Sequence, residues 1–425
     1  MVRIPKSIQE KYLGGKQAWL VWVCGALFYC YVFLLRVSPS IMTDDWMSAF
    51  GIEAATLGLI SSLYFLAYVS IQLPLGAIMD YVGPRRLLGT AAFICAVGSL
   101  FIAFSHTATE TILGRGLIGL GSACGFLGTM KLATLWFQKS KLGLIATITT
   151  GLGTIGAVMG GPPLSLLNSM IGWRGSMLVL AIVGLFVSAL IWCFVQDEPE
   201  IISQLREKQG ERPDLFAGIK EAILSPMLWR VALYGMLMYM PLSGFGDLWG
   251  VPFLQALYGV SEPVASAMNS LIFIGVVVGG PVVAVFSEKL ESRRIPMGIG
   301  ALGTFFCFLL IVYIPIPSWL MSMALFMTGF FFTAECLCFV VGCESLPHSM
   351  SGVAIGFNNI LIMTSGLIAQ PLIGSLLSHW GTASFVNNAP VYRVEDYRFA
   401  LSFIPVALGL ACLLVLSFRE TYKKH

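Results

Sequence analysis

Long apolar runs alternate with short polar breaks along most of the chain. The runs fall at about 17–39, 55–79, 86–106, 108–136, 142–167, 172–195, 227–250, 262–286, 295–315, 318–342, 352–377 and 399–418. A helix crossing a bilayer core of about 30 Å needs about 20 predominantly apolar residues, so each run predicts one membrane-spanning helix. The one long polar break, 196–225, carries DEPE and REKQGERPD and no apolar run. The pattern therefore predicts an all-α membrane protein with twelve spans in two pseudo-symmetric six-helix bundles, 1–195 and 226–425, joined by a linker over 196–225.

Composition agrees with this pattern. The chain is 57% hydrophobic and 11% charged, whereas a water-facing domain carries about 25% charged residues. The basic amino end, MVRIPKSIQEKYLGGKQ, precedes the first run as in a signal peptide. That run is long enough to span and no small-residue cleavage pattern closes it, so it reads as a retained helix. With twelve spans both ends lie on one side. That side carries 18 Lys and Arg against three on the other, Arg174, Arg393 and Arg398. Lys and Arg concentrate on the cytoplasmic side, which predicts cytoplasmic termini and linker. Short loops suggest a multi-pass protein of a bacterial inner membrane.

The two halves also resemble each other. FGI at 50–52 matches YGV at 258–260, an offset of 208. Ser62-Leu63 with Ser270-Leu271, Asp80 with Glu288, and Arg85-Arg86 with Arg293-Arg294 share that offset. Gly143 with Gly352 and Pro162 with Pro371 follow at 209. Matches in register point to duplication, and carriers built from repeats bind substrate near the midplane between them.

The second span ends in GAIMDYVGPRRLL, 76–88. Gly76 permits close packing, Gly83 permits the turn, and Arg85 and Arg86 hold the loop on the cytoplasmic side. Asp80 sits at a helix C-terminus, the unfavourable end for an acid, and needs a partner. This stretch resembles the Gly-x-x-x-Asp-x-x-Gly-x-Arg-Arg signature of the major facilitator superfamily, and with twelve spans and a central linker the resemblance covers essentially the whole chain. It implies that Gly76, Asp80, Gly83, Arg85 and Arg86 clamp the halves on the cytoplasmic side and release during cycling. The second copy keeps Glu288, Arg293 and Arg294, while Ala284 and Glu291 replace the glycines. LGRGLIGLGSACG at 113–125 resembles the fourth-span pattern. The fifth-span GAVMGGPPLSLL lacks the following glycine pair of many drug antiporters; its Gly and Pro predict a kinked, closely packed helix.

Five ionisable residues fall inside the spans: Arg36 in the first, Arg115 and Lys131 in the fourth, Asp247 in the seventh and Glu335 in the tenth. Such groups are costly in a bilayer and are functional candidates by default. The resemblance implies that these four spans line a central cavity. Arg36 and Asp247 lie near the outer ends and are expected to approach each other when the outer side closes. Lys131 and Glu335 lie in the inner halves and are expected to help close the inner side. Arg115 is expected to face the cavity without an obvious partner. Each has a plainer alternative: Arg36 and Lys131 snorkelling to a boundary, Asp247 as an interfacial acid, Glu335 with a buried structural partner. The substrate-binding candidates are Arg36, Arg115 and Lys131 with Tyr29, Tyr31, Tyr239, Asn358 and Asn359. Adjacent Asn358 and Asn359 point about 100° apart, so one of them is expected to face the cavity. Tyr64, Tyr68 and Asn269 are further cavity candidates. Glu335 and Asp247 are the candidates for proton coupling.

These features predict a secondary active transporter working by alternating access. Gly-x-x-x-x-Gly-Lys-Ser/Thr does not occur, so energy would come from a gradient. Three bases against two acids favour an anionic or zwitterionic solute: an organic acid, an amino acid or peptide, or a polycarboxylate siderophore, imported with protons. An organic phosphate exchanger is the alternative, and a drug exporter is disfavoured by the incomplete fifth-span motif. A channel would need a continuous polar pore and an enzyme a clustered constellation; the four histidines, His106, His348, His379 and His425, form none. All ten cysteines fall in spans without metal-site spacing. No cofactor, metal or nucleic-acid partner is expected, and the family default is a monomer.

Overall fold

A computed structural model gives the fold and describes residues 13–138, 141–197, 221–346, 350–382, 384–386 and 389–422. The twelve apolar runs map onto helices. The first half holds α1 (Lys16–Val37), a 3-10 turn (Ser38–Ser40), α2 (Thr43–Phe50), α3 (Ala54–Val82), α4 (Pro84–Ala103), α5 (Ala108–Ser122), α6 (Cys124–Trp136), α7 (Leu142–Met159) and α8 (Pro162–Phe194). The second half holds α9 (Pro226–Met240), a π-helix (Pro241–Trp249), α10 (Gly250–Tyr258), α11 (Glu262–Lys289), α12 (Arg294–Tyr313), α13 (Ser318–Phe332), a 3-10 turn (Thr333–Cys336), α14 (Leu337–Glu344), α15 (Ser351–Trp380), α16 (Val394–Leu401) and α17 (Phe403–Leu416).

Ten helical stretches among the described residues are long and apolar enough to cross a membrane. One of them, Leu142–Phe194, has 53 residues, about 80 Å of helix and more than two bilayer cores. It holds the fifth and sixth expected spans. The helix bends at Gly160 and Gly161 and breaks at Gly172, where φ is 72° and ψ 170°. The seventh expected span is assembled from shorter pieces, α9, the π-helix and α10. Along the lipid-facing side apolar residues stay exposed in helical rows, as at Val406, Leu410 and Leu413.

The repeat is visible in the backbone. Gly51 and Gly259, the glycines of FGI and YGV, both adopt a left-handed conformation (φ 62°) that ends the short helices α2 and α10. In the second-to-third-span loop Gly83 has φ 88°, and a Cβ there would lie 2.8 Å from the Asp197 carboxylate. At the equivalent position Glu291 takes φ 46°, the one non-glycine with positive φ among the described residues. The second copy has lost its glycine and kept the turn.

The halves meet where α3 packs along α15 and α7 packs on α11. Glycines allow the backbones to touch. A Cβ on Gly58 would lie 2.4 Å from the Gln370 carbonyl oxygen, and one on Gly374 would lie 2.2 Å from that of Ala54. With the side opposite the termini called outer, these contacts lie in the outer part of the bundle. So do the cross-half hydrogen bonds from Ala55 N to Ser378 Oγ (2.9 Å) and from Ser165 Oγ to Glu262 Oε1 (2.7 Å). The molecule is closed on its outer side.

Two expectations need correction. The chain is not wholly helical: β1 (Ser384–Val386) and β2 (Ala389–Val391) pair antiparallel, Ser384 opposite Val391, and β2 packs on α2 of the other half. The last helical stretch starts at Val394 rather than 399, because Asp396 caps its first turn by accepting the Arg393 N–H at 2.9 Å.

Candidate functional site

The outer end of the first span carries a backbone problem. Pro39 has no N–H to donate to the carbonyl of Leu35. Two groups occupy that carbonyl instead, Ser38 Oγ at 2.9 Å and Arg115 Nη1 at 2.9 Å. Ser40 Oγ donates to the Val37 carbonyl at 2.8 Å. The helix tightens into a 3-10 turn and stays satisfied. Just before it, Arg36 is 3% exposed and points across the boundary between the halves.

Arg36 meets Asp247 there. Its Nε and Nη2 each donate to Asp247 Oδ2 at 2.7 Å, and Nη2 also donates to the Tyr239 hydroxyl. The rings of Phe33, Phe65 and Tyr239 surround the guanidinium, with centroids at 5.2, 5.4 and 5.0 Å, a favourable arrangement for a cation. Asp247 Oδ1 is buried with no hydrogen-bond partner among the described residues. The structure thus brings together three of the sequence candidates, from the first and seventh spans.

The spans carrying charged residues depart from regular α geometry, as helices often do at functional sites. The first tightens at Ser38–Ser40, the fourth is interrupted at Ala123, the seventh widens over Pro241–Trp249 and the tenth tightens at Thr333–Cys336. Glu335 lies in that last turn, 4% exposed, with Oε1 unpartnered among the described residues. Lys131 is half-buried on the inner part of the fourth span.

Other candidates are placed differently from expectation. Arg115 does not face a cavity. It is fully buried, its guanidinium donates to the Leu35 and Ser61 carbonyls (2.9 and 3.5 Å) and lies over the Tyr64 ring. Its Nη1 serves the carbonyl that Pro39 frees, and its Nε has no partner among the described residues. Tyr31 donates to the Leu180 carbonyl at 2.9 Å, holding the first span to the sixth. Tyr29 is half-buried and packs edge-on to Phe33 and against Phe126. Of the asparagines, Asn358 is fully buried and donates to the Cys338 carbonyl at 2.7 Å. Asn359 reaches the other half, donating to the Tyr68 hydroxyl at 3.3 Å. Asn269 donates to the Gly246 carbonyl at 2.8 Å, inside the π-helix.

On the side of the termini, the described loop arginines Arg85, Arg293 and Arg294 bind groups in or next to their own half. Arg85 donates its N–H to Asp197 Oδ1 at 2.7 Å and Nη2 to the Trp192 carbonyl at 2.6 Å. Arg293 Nη1 donates to Glu288 Oε1 at 2.8 Å, Nη2 to Glu344 Oε1 at 3.3 Å, and its N–H to Glu420 Oε1 at 2.9 Å. Arg294 Nη2 donates to the Leu416 carbonyl at 2.8 Å. Gly76 has open space around it and Arg86 is exposed; the Asp80 side chain lies outside the described residues. In both halves a carboxylate just past the last span, Asp197 or Glu420, accepts the N–H at the start of the third. Partial burial pushes the Glu420 carboxyl up, but the amides of Arg293, Tyr422 and Arg294 and the Ser292 hydroxyl outweigh it and hold it below its usual 4.5.

Sequence reasoning missed Asp197, Glu420 and Gln370. Asp197 was hidden in the charged linker and Glu420 in a charged tail, both next to span ends where a loop amide needs an acceptor. Gln370 stood in an apolar run beside Pro371, a polar side chain in the membrane with no assigned use.

Long apolar helices meeting at a buried ion pair, with close contacts on one side, fit a membrane carrier. The Major Facilitator Superfamily model matches residues 21–371, and the chain belongs to that superfamily. It is therefore a membrane transporter by family rather than an enzyme. It is 24% identical to the membrane sensor protein UhpC of Salmonella typhimurium, over 95% of this chain and 92% of that protein. It is 25% identical to the probable galactarate/D-glucarate transporter GudP of Bacillus subtilis, over 85% and 87%. It is 23% identical to a probable hexose phosphate transport protein of Chlamydia muridarum, over 89% and 90%. Among solved structures, a bacterial homologue of the human lysosomal transporter Spinster, inward-facing and unoccupied, superimposes with a TM-score of 0.75 at 16% identity, covering 95% of this chain and 97% of that one.

Proposed function

We propose that this protein imports a small organic anion bearing a carboxylate, coupled to protons, with both termini in the cytoplasm of a bacterial inner membrane. The observation that carries the reading is the pair formed by Arg36 and Asp247 across the two halves. Asp247 occupies on Arg36 the place that a substrate carboxylate would take. A proton on Asp247 removes the charge that holds the guanidinium and frees it for the substrate. Oδ1, which has no partner, is the oxygen able to accept that proton. Glu335, buried in the tenth span, is a second proton site. Tyr239 on Arg36 and Asn359 with Tyr68 supply hydrogen-bonding groups for a hydroxylated acid, a class named for relatives such as GudP.

Exchange of organic phosphates is the second reading, since some relatives are named for hexose phosphate. A dianionic phosphoryl group asks for paired cations. Arg115, the base nearest the outer end of the fourth span, spends Nη1 and Nη2 on the Leu35 and Ser61 carbonyls, which favours the carboxylate. Proteoliposomes with an imposed inward proton gradient test the choice, offered aldarates, aldonates and hexose phosphates in turn. Gradient-driven accumulation of a carboxylate, abolished by Arg36→Gln and reduced at least tenfold by Glu335→Gln, is expected. Accumulation indifferent to the gradient removes proton coupling, and uptake of sugar phosphates alone removes the carboxylate assignment.

A further inference from the structure

The π-helix of the seventh span decides where Asp247 points. An α-helix turns about 100° per residue, so Asp247 would stand about 80° around the axis from Tyr239, eight residues earlier. Wider i→i+5 turns advance less per residue and bring Asp247 back toward the face of Tyr239. That brings the two side chains closer to one line, and a single guanidinium, that of Arg36, binds both. Asp247 therefore meets Arg36 through a backbone form that is rarely stable by itself, and something must hold it.

Two side chains grip this segment from neighbouring spans. Asn269 of α11 donates Nδ2 to the Gly246 carbonyl at 2.8 Å, the peptide unit that leads into Asp247. Gln370 of α15 donates Nε2 to the Ser243 carbonyl at 2.8 Å. Gln370 grips it a second way, its own carbonyl accepting the Trp249 Nε1–H at 3.1 Å. Both amides are buried, and their oxygens, Asn269 Oδ1 and Gln370 Oε1, have no partner among the described residues. An apolar side chain of the same volume would fill the space without leaving a buried oxygen unsatisfied. The N–H donor is thus the part of each amide in use. The fit is close: a Cβ on Gly250 would lie 2.3 Å from Asn269 Oδ1, and one on Gly58 of the other half 2.4 Å from the Gln370 carbonyl oxygen. Gln370 therefore touches both the π-helix and the seam that closes the outer side.

We infer that Asn269 and Gln370 are positioning residues that hold the wide turn of the seventh span so that Asp247 faces Arg36 when the outer side is closed. The inference rests on reading that pair as part of the transport site. Without the two donors the segment relaxes toward α geometry and carries Asp247 off the shared face.

A thermal double-mutant cycle on the full-length protein in detergent tests it without a substrate. Asn269→Leu and Gln370→Met are each made in the wild type and in the neutral background Arg36→Gln/Asp247→Asn. Each substitution lowers the melting midpoint in the wild type, and the fall in the neutral background is at most half as large, because no ion pair remains to be misaligned. Equal falls in both backgrounds overturn the inference and leave two ordinary packing residues. If Gln370→Met does not fold, the Asn269→Leu cycle decides alone. An uptake screen that finds no transported anion, with the coupling present, removes the transport reading and leaves the positioning role. The converse result does the opposite.

Discussion

A buried arginine needs partners for its guanidinium, and Arg36 and Arg115 find theirs differently, Arg115 leaving Nε without one among the described residues. Arg115 uses backbone carbonyls within one half, so its contacts need not break when the halves separate. Arg36 uses a carboxylate and a phenol from the other half, so its contacts must change whenever the outer side opens. Removing one partner of a buried pair leaves an uncompensated charge and costs about 3–5 kcal/mol, whereas removing both costs far less. Asp247→Asn should therefore lower the melting midpoint markedly, and Arg36→Gln added to it should restore at least half of the loss. A double variant no more stable than Asp247→Asn would mean that the pair is not a thermodynamic unit.

At the level of elements, the two copies of the loop between the second and third spans of each half solve one turn with unequal residues. Gly83 has a positive φ and stands against the Asp197 carboxylate. Glu291 holds a positive φ with a side chain, at a cost of roughly 1–2 kcal/mol. Gly83→Ala should destabilise the protein by about 1–3 kcal/mol through strain and crowding, while Glu291→Gly should be neutral or raise the melting midpoint. Equal losses in both would show that the turns are not equivalent. The carboxylate past each last span adds a pH-dependent term. Glu420 binds its proton more weakly folded than unfolded. Its contribution is then present above about pH 4.5 and lost as the pH falls through the lower folded value. Glu420→Gln should cost about 1 kcal/mol at pH 7, at the low end for charge-assisted hydrogen bonds because the carboxylate is exposed. Denaturant melts of the two proteins should converge on acidification below pH 4.5, and a gap that persists there would assign the effect to something other than the charge.

Across the whole molecule, outer closure depends on bare backbone contacts between spans of opposite halves. At Gly374 a Cβ would stand 2.2 Å from the Ala54 carbonyl oxygen, which belongs to backbone and cannot swing aside. Overpacking there costs about 1–3 kcal/mol, and opening the outer side relieves it, a shift of roughly tenfold in favour of the open form. Nitroxides at Glu53 and His379, both exposed, should report a longer distance in Gly374→Leu than in the wild type, in a cysteine-replaced background. An unchanged distance would place the opening motion elsewhere. The same seam carries Gln370, so the closure and the posture of Asp247 are coupled through a single residue.

The sequence by itself determined where the helices run and which positions repeat, because bilayer thickness, alternating polarity and a shared register leave direct traces along a chain. The irregular end of the first span has a local cause: Pro39 orphans the Leu35 carbonyl, and Ser38 sits beside it to take it. Pairing was a matter for the tertiary structure. Arg115 looked like a cavity residue because its partner is a carbonyl, and carbonyls are invisible in a list of side chains. Tyr31 and Asn358 point into helix contacts for the same reason. The paired strands β1 and β2 escaped because three-residue strands carry too little pattern. The π-helix escaped because the donors that grip it, Asn269 and Gln370, lie on two other spans and are adjacent to it only after folding. Local chemistry fixed which residues were unusual; which of them meet was decided by the packing of one half against the other.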